Sequence, residues 1–265
     1  MPDSLSIAHV YQYEREGYVS PVRVLDDEEV SYYRRCYDGF ERKLGRTLKK
    51  SLPRERRLLF QETHTILPWV FDLASHPRIL DSVESLLGPD LLIWSTQWFP
   101  KPPHDPGYVN WHQDGVYWGL HPPLVCTAWV ALTASDRSNG CVRIVPTSHR
   151  DDLPHAETFA DDSVLSRGQE IAVEVDEATV HDLVLEPGEM SIHHIGMVHG
   201  SNANESDHPR IGLAVRFIAP EVEHSGDDHP WGMLVRGEDV HHHFGLVDRP
   251  THGKERPDEF RRQFL

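Results

Sequence analysis

From Leu91 onwards, the chain is divided into short runs rich in β-branched and aromatic residues, each long enough for one β-strand. Clusters of proline, glycine, aspartate and asparagine separate the runs, mostly at the spacing of turns and hairpins. The runs are residues 91–99, 109–112, 124–132, 142–145, 183–185, 190–194 and 211–218. Many short strands with short connections favour two packed or closed sheets over alternating βαβ units. The sequence therefore predicts a mainly β protein with a jelly-roll core.

Two segments before this region have the periodicity of amphipathic helices. The first can be capped by Asp26 or Asp27, and its apolar residues recur at helical spacing through residues 30–44. The second begins near Pro77, a residue that suits a first helical turn, and ends at Gly88. We therefore expect helices beside the β core.

The chain is interpreted as a single domain over residues 1–265. Its expected parts are a helical N-terminal part (1–90), a β core (about 91–220) and a C-terminal extension (221–265). The polar segment 150–180 is a candidate insertion or lid. The stretch after Gly226 is acidic and rich in histidine, and we expect it to pack loosely or to cap the barrel.

Composition limits the classes of partner. A net charge of -16 disfavours nucleic acid and anionic membranes, which bind clustered Lys and Arg. No apolar run approaches the roughly 20 residues that span a bilayer, and no signal peptide is visible at the N-terminus. The three cysteines are scattered without CxxC spacing, so they are interpreted as reduced thiols of a cytoplasmic protein. The oligomeric state is left open.

A His-x-Asp pattern can place two metal ligands on one face of a strand, because residues i and i+2 point the same way. The pattern occurs at His112/Asp114 and again at His149/Asp151, where the chain enters a polar turn. We favour the first pair because it ends a strand run and precedes aromatic residues. With His199 from a distant strand it would form two imidazoles and one carboxylate, a facial triad that suits iron(II).

The strand that ends at His199 is followed by a polar loop and a strand that opens at Arg210. Such a hairpin can bring the two side chains together. The planar fork of arginine matches the free carboxylate of a metal-chelating cosubstrate such as 2-oxoglutarate, and the Ser201 hydroxyl could add a hydrogen bond. Arg216 shares the strand face of Arg210 by parity and competes for this role, but Arg210 is nearer the hairpin end.

These residues resemble the phytanoyl-CoA dioxygenase family. The matching features are Trp111-His112-Gln113-Asp114, the segment 140–149, and His199-Gly-Ser with Arg210 eleven residues later. The resemblance implies a double-stranded β-helix (cupin-like) fold, with iron(II), 2-oxoglutarate and O2 as cofactor and cosubstrates, and succinate and CO2 as coproducts. It also implies that Trp129 lies near 2-oxoglutarate. Thr96 is a further candidate for the cofactor pocket.

The expected activity is hydroxylation of an unactivated C–H of a small, polar metabolite. Asp114 fills the position that is Ala or Gly in the related halogenases, which favours oxygen transfer. Desaturation or cyclisation by the same oxidant, a non-catalytic jelly-roll binding protein and a zinc hydrolase remain alternatives. The candidates for substrate contacts are Gln97, Trp118, Tyr117 and His64, although both aromatic residues could equally be core packing.

Overall fold

The computed structural model describes residues 5–44, 60–157, 169–226 and 230–251. Helix α1 (Ile7–Glu16) is capped by the Ser6 side chain, which accepts a hydrogen bond from the amide of His9. It ends at Gly17, whose φ of 82° is the left-handed conformation that favours glycine. Strand β1 (Tyr18–Arg23) and helix α2 (Asp27–Leu44) follow.

Three further α-helices follow β1 and α2 along the chain. Helix α3 spans Pro68–Ala74 and helix α4 spans Pro77–Leu87, each with proline in its first turn. The short helix α5 (Gly115–Trp118) lies within the β region. The apolar sides of α2, α3 and α4 pack into one buried cluster with the sheet described next.

The remaining strands follow in chain order. They are β2 Leu91–Trp98, β3 Val109–His112, β4 Leu120–His121, β5 Val125–Ala131, β6 Val142–Ile144, β7 His155–Glu157, β8 Gln169–Ile171, β9 His181–Leu183, β10 Glu189–His194, β11 His199–Ser201, β12 Gly212–Ile218, β13 Glu223–His224, β14 Trp231–Arg236 and β15 Gly245–Leu246.

Two sheets form the β core. The larger has seven strands in the order β1-β10-β5-β12-β2-β14-β15, and the smaller has four in the order β3-β11-β6-β9. Neighbouring strands are antiparallel except β14 and β15. Sequence neighbours such as β5 and β6 lie in different sheets, as in a jelly roll.

Alternation along the seven-stranded sheet separates two apolar layers. On β5, Cys126, Ala128 and Val130 pack against the helices. The intervening Trp129 and Ala131 belong to a second cluster with Ile144 and other residues of the four-stranded sheet. Every residue of β5 is buried, because the helices cover one face of this strand and the other sheet covers the opposite face.

The predicted mainly β architecture is confirmed, and each of the seven predicted strand runs has an observed strand within two residues of its bounds. Helices α2 and α4 are also confirmed. The sequence analysis missed helix α1 and strand β1, which precede α2; β1 pairs with β10.

The expectation of a loosely packed or barrel-capping C-terminal stretch is wrong for β14. This strand pairs with β2 and extends the seven-stranded sheet, so residues beyond 220 are part of the sheet. Within the segment 150–180, β7 and β8 pair as antiparallel strands. Residues 158–168, between these strands, lie outside the described ranges. The division into parts at 90 and 220 stays a prediction. Within the described ranges, no helix has the length and apolarity required to cross a bilayer.

Candidate metal centre

Two histidines and one aspartate meet on the four-stranded sheet. His112 ends β3 and His199 opens β11, and the antiparallel pairing of these strands places the two residues directly opposite each other. Asp114 lies two residues beyond His112, immediately before α5. One potential ligand atom from each side chain lies within 4.8 Å of the other two. The predicted triad is therefore brought together by strand register and by the turn into α5.

Backbone carbonyls orient both imidazoles. The Nδ1 of His112 lies 2.9 Å from the carbonyl oxygen of Asn110, and the Nδ1 of His199 lies 2.9 Å from that of Met197. A carbonyl oxygen only accepts hydrogen bonds, so each Nδ1 carries a proton and each Nε2 of the neutral ring keeps its lone pair. Those Nε2 atoms lie 3.3 Å (His112) and 3.9 Å (His199) from the carboxylate oxygens of Asp114.

The electrostatic environment keeps Asp114 and His199 in the protonation states that ligands need. Burial alone would raise the pKa of the Asp114 carboxyl, but its close contacts with His112 and His199 and the positive charge of Arg216 hold it well below its usual range. Burial, reinforced by His112, lowers the pKa of His199 to about 4. At neutral pH the site thus offers a carboxylate and an unprotonated imidazole.

This donor set fits a divalent transition metal. Two imidazole nitrogens and a carboxylate on adjacent corners suit iron(II) and leave further coordination positions for other ligands. The carbonyl contacts of each Nδ1 are the supporting interactions that metal-bound histidines commonly make. Among the described residues, no other group of three or more His, Cys, Asp or Glu side chains meets in this way.

Beside this centre, two cations lie close together in the interior. Arg210 is 1% exposed, and its guanidinium donates to the carbonyl of Phe99 at 3.1 Å and to that of Gly140. Lys101 is 3% exposed and donates from Nζ to the Ser201 hydroxyl at 2.7 Å. Antiparallel backbone hydrogen bonds join residues 101 and 210. Ser201 is on β11 with His199, which connects the cations to the metal centre.

Both cations have lowered pKa values. Burial lowers the pKa of Arg210 to about 10. Burial and the charge of Arg210 lower the pKa of Lys101 well below its usual value. The guanidinium carbon of Arg210 also lies 5.2 Å from the centre of the Trp129 ring. Two buried cations that repel each other favour an anion beside them, because a bound carboxylate would offset both the repulsion and the desolvation.

Of the other predicted residues, Gln97 faces the space between the sheets, opposite Ala214 on β12. Thr96 points to the helix side of β2, where its hydroxyl lies 2.8 Å from Nδ1 of His64. His64 is fully buried and stacked on Trp231. The structure therefore does not bring Thr96 and His64 together with the triad.

The two aromatic candidates lie on α5, directly after Asp114. Tyr117 meets the ring of His155 edge to face at 5.2 Å, and the ring of Trp118 lies 4.9 Å from the guanidinium carbon of Arg216. The second His-x-Asp pair, His149 and Asp151, lies on a 3₁₀ turn and does not join the metal group.

The sequence analysis missed Lys101 and gave Arg216 a different role. Lys101 follows β2 in the segment Lys101-Pro-Pro, and its approach to Ser201 depends on a contact across 100 residues. A lysine at the end of an interior strand in a chain with few lysines was the available signal.

The comparisons with known proteins agree with this geometry. The family model for phytanoyl-CoA dioxygenase matches residues 13–212, which include the triad and Arg210. Peroxisomal phytanoyl-CoA dioxygenase of Homo sapiens is 26% identical over 234 residues, covering 80% of this chain and 68% of that protein. Ectoine dioxygenase of Streptomyces avermitilis is 25% identical over 239 residues, covering 83% of this chain and 81% of that protein.

Among solved structures, the apo form of the non-heme monooxygenase ThoJ has a TM-score of 0.78 and 34% identity, covering 91% of this chain and 88% of that chain. The family match spans most of the chain and contains the residues of the metal centre and of the neighbouring anion site. The protein therefore belongs to the phytanoyl-CoA dioxygenase family of iron(II)- and 2-oxoglutarate-dependent dioxygenases.

Proposed function

We propose that this protein hydroxylates an unactivated C–H of a small, polar metabolite, with His112, Asp114 and His199 as the iron ligands. The observation that carries the proposal is the meeting of this triad with a pair of buried cations, one of which, Lys101, donates to Ser201, two residues beyond His199 on β11. When bound, iron(II) with 2-oxoglutarate supplies O2 activation coupled to decarboxylation, which yields succinate and CO2. The chain's own residues hold the metal, bind 2-oxoglutarate and position the substrate.

The triad holds the metal on one side only. His112 and His199 present their Nε2 atoms, fixed by the carbonyl contacts at Nδ1, and Asp114 supplies negative charge. Because Asp114 occupies a ligand position, a halide has no vacant protein position to fill there, and this favours oxygen transfer to the substrate over halogenation.

Arg210, Lys101 and Ser201 are proposed to bind the distal carboxylate of 2-oxoglutarate. The arginine supplies a planar fork and the lysine a second charge, while the hydroxyl of Ser201 is held by Lys101 at 2.7 Å. Trp129 packs beside the arginine and excludes water from that end of the cavity.

The interior also favours a polar substrate. Ser95, Gln97 and Arg216 face the space between the sheets next to the triad, so the cavity wall has hydrogen-bonding groups as well as tryptophan rings. Relatives of this chain include an ectoine dioxygenase as well as phytanoyl-CoA dioxygenases, and a polar wall favours a substrate with polar groups. Hydroxylation rather than desaturation or cyclisation is the simplest outcome of this arrangement.

The test is succinate formation from 2-oxoglutarate by the purified protein with iron(II), ascorbate and O2, first alone and then with a panel of polar metabolites. We expect slow succinate formation without a metabolite and faster formation with a substrate. His199→Ala should lower both at least about 100-fold, since it removes a ligand, whereas loss of supporting contacts alone costs about 10–100-fold. His104→Ala is the control, because His104 is exposed and pairs with Asp207.

Equal succinate formation by His199→Ala and the wild type would refute the assignment of His112, Asp114 and His199 as the iron ligands. Metal binding without succinate formation under any condition would favour the alternative of a non-catalytic jelly-roll binding protein. Hydrolysis that persists without O2 would favour a zinc hydrolase.

A further inference from the structure

A row of polar side chains crosses the seven-stranded sheet. Strand register places His193 on β10 opposite Thr127 on β5, Thr127 opposite Arg216 on β12, and Arg216 opposite Ser95 on β2. Directly opposed residues of antiparallel strands point to the same face. We call His193, Thr127, Arg216 and Ser95 the polar row.

The polar row faces the metal centre, away from the helices. The residues on either side of it in β5, Cys126 and Ala128, belong to the helix-side cluster, so Thr127 points the other way. The ring of His193 lies 4.6 Å from that of His199, one of the three residues of the metal centre. The row therefore forms the wall of the cavity opposite the triad.

Apolar residues lie beside the middle of the polar row. One neighbouring row has Trp129 and Ala214 in its middle and Ser191 and Gln97 at its ends, and the row on the other side contains Val125, Ile218 and Leu92. Buried polar groups beside apolar side chains are costly unless they meet polar partners. The position of the polar row opposite the triad indicates a ligand-binding role.

Arg216 is the charged member of the row, and its observed partners are neutral. Its Nη atoms donate to the Ser95 hydroxyl at 3.2 Å and to Oε1 of Gln97 at 3.3 Å, and its guanidinium stacks on Trp118. Its Nε has no hydrogen-bond partner among the described residues, and Asp114 and Glu62 act on its charge without donor–acceptor contact among those residues. A guanidinium in an enclosed cavity with only neutral partners favours an anion nearby.

Three further polar side chains in this part of the sheet have no hydrogen-bond partner within the described ranges. They are the hydroxyls of Thr127 and Ser191 and both ring nitrogens of His193, and none of the three residues is more than 3% exposed. Native interiors satisfy most buried polar groups, so several unsatisfied ones together indicate a place where a ligand binds. Unlike a helix terminus or a surface cluster, these groups are held by two adjacent strands, β10 and β5.

The nearest other acid does not neutralise Arg216. Burial raises the pKa of Glu62 to about 8, although the charge of Arg216 opposes this shift. Near neutral pH, Glu62 is therefore mostly protonated. Asp114 also interacts with the charge of Arg216, but Asp114 is proposed to hold the metal, so the guanidinium of Arg216 can take a further anionic partner.

We propose that Arg216, with the hydroxyls of Thr127 and Ser95, binds a carboxylate of the primary substrate and holds the neighbouring C–H towards the metal centre. The inference rests on the proposed function and specifies its substrate class, a small carboxylic acid. A single guanidinium balances one negative charge and its fork matches two carboxylate oxygens, which favours a carboxylate over a doubly charged phosphate. Arg210 and Lys101 remain the separate site for 2-oxoglutarate.

The test uses the full chain loaded with nickel(II), a redox-inert substitute for iron, and saturated with 2-oxoglutarate so that the Arg210 site is filled. Saturation-transfer NMR then compares acetate with acetamide, which has the same shape but no charge. We expect acetate to receive at least about five times more saturation than acetamide. Arg216→Gln should reduce acetate to the level of acetamide, and Arg216→Lys should retain part of the difference because it keeps the charge and loses the fork.

Arg236→Gln is the matched control, because Arg236 pairs with Asp81 and Glu84 on the outside of the sheet, and it should bind acetate as the wild type does. Circular dichroism checks that each variant is folded. If Arg216→Gln is unfolded, Arg216→Lys is used for the comparison instead. Calorimetry of 2-oxoglutarate binding to the nickel-loaded proteins is the second readout.

Acetate binding that persists in Arg216→Gln would overturn the proposal, since the acetate would then be on the metal or elsewhere. A loss of 2-oxoglutarate affinity of tenfold or more in that variant would also overturn it and assign Arg216 to the cosubstrate. If the wild type binds neither nickel nor 2-oxoglutarate, the proposed function itself fails and this inference fails with it. If both bind but acetate does not, this inference alone fails.

Discussion

At the scale of single residues, charge decides the organisation of the cavity. Asp114 is the anion of the metal centre, Arg210 and Lys101 are the paired cations, and Arg216 is a third cation on the opposite wall. The sequence analysis identified the triad and Arg210 because their spacing along the chain is informative. It missed Lys101, because a contact with Ser201 across 100 residues leaves no local pattern.

Lys101→Met tests the second charge of the proposed 2-oxoglutarate site. Removing a buried charged hydrogen bond costs about 1.5–3 kcal/mol, so we expect the KM for 2-oxoglutarate to rise by roughly tenfold or more. The measurement is succinate formation at varied 2-oxoglutarate concentrations. Arg137→Met, which removes an exposed cation from the 3₁₀ turn before β6, is the control. An unchanged KM in Lys101→Met would remove this residue from the site.

At the scale of elements, strand alternation could be predicted, but local register could not. Thr96 and Gln97 were both candidates, yet consecutive residues of a strand point to opposite faces, so only Gln97 faces the cavity. A bulge shifts the pairing of β2 with β12 at Trp94, between Ser95 and Ile93. Such a bulge changes which residues of β2 share a face, and no periodic pattern predicts it. Strands β1 and β14 were missed because their short runs resemble the surrounding loops.

Gly212 on β12 is an element-scale test of the anion site. A Cβ at this position would overlap the indole of Trp129, which stacks on Arg210. We expect Gly212→Ala to destabilise the protein by about 1–3 kcal/mol, as overpacked cores do, and to raise the KM for 2-oxoglutarate through displacement of Trp129. The measurements are urea unfolding and succinate formation.

Gly39→Ala on α2 is the matched control for Gly212→Ala. Its nearest neighbour would be Nη2 of Arg42 at 3.7 Å, so the added methyl fits and should stabilise the helix by about 0.5–1 kcal/mol. If Gly212→Ala is as stable as the wild type and binds 2-oxoglutarate normally, the close packing of Trp129 against β12 has no influence on the site.

At the scale of the whole molecule, both flanking segments contribute to the sheet that carries the polar row. β1 from the N-terminal part pairs with β10, and β14 from the C-terminal part pairs with β2. Residues just before α3 also reach the cavity, since the amide of Glu62 donates to the carbonyl of Thr96 and the side chain of Glu62 lies near Arg216. Sequence analysis could predict a jelly roll, but not these contributions, because each depends on long-range pairing.

Glu62 should make the stability of the protein depend on pH. Burial raises its pKa from the model-compound value of 4.5 to about 8, so the folded state keeps a proton that the unfolded state releases. Stability from this group is therefore fully present below about pH 4.5, falls as pH rises, and levels off above about 8. The slope is at most about 1.4 kcal/mol per pH unit.

Glu62→Gln replaces the protonated carboxyl with a neutral amide and should remove this slope. We expect the melting temperature of the variant, relative to the wild type, to increase between pH 5 and pH 8, by roughly 2–4 °C for each kcal/mol. Thermal unfolding followed by circular dichroism at four pH values measures it. Glu221→Gln, at an exposed position after β12, is the control, and a difference for Glu62→Gln that stays constant with pH would contradict the shift.

The two walls of the cavity belong to different sheets. The triad is built on the pairing of β3 with β11, whereas the polar row lies across β10, β5, β12 and β2. Mutations in the larger sheet can therefore alter which compound is accepted while the oxidising machinery stays intact. If the proposed roles hold, such a separation gives natural selection, or a protein engineer, an independent way to change selectivity, and the row centred on Arg216 is the place to begin when redirecting this scaffold to new acids.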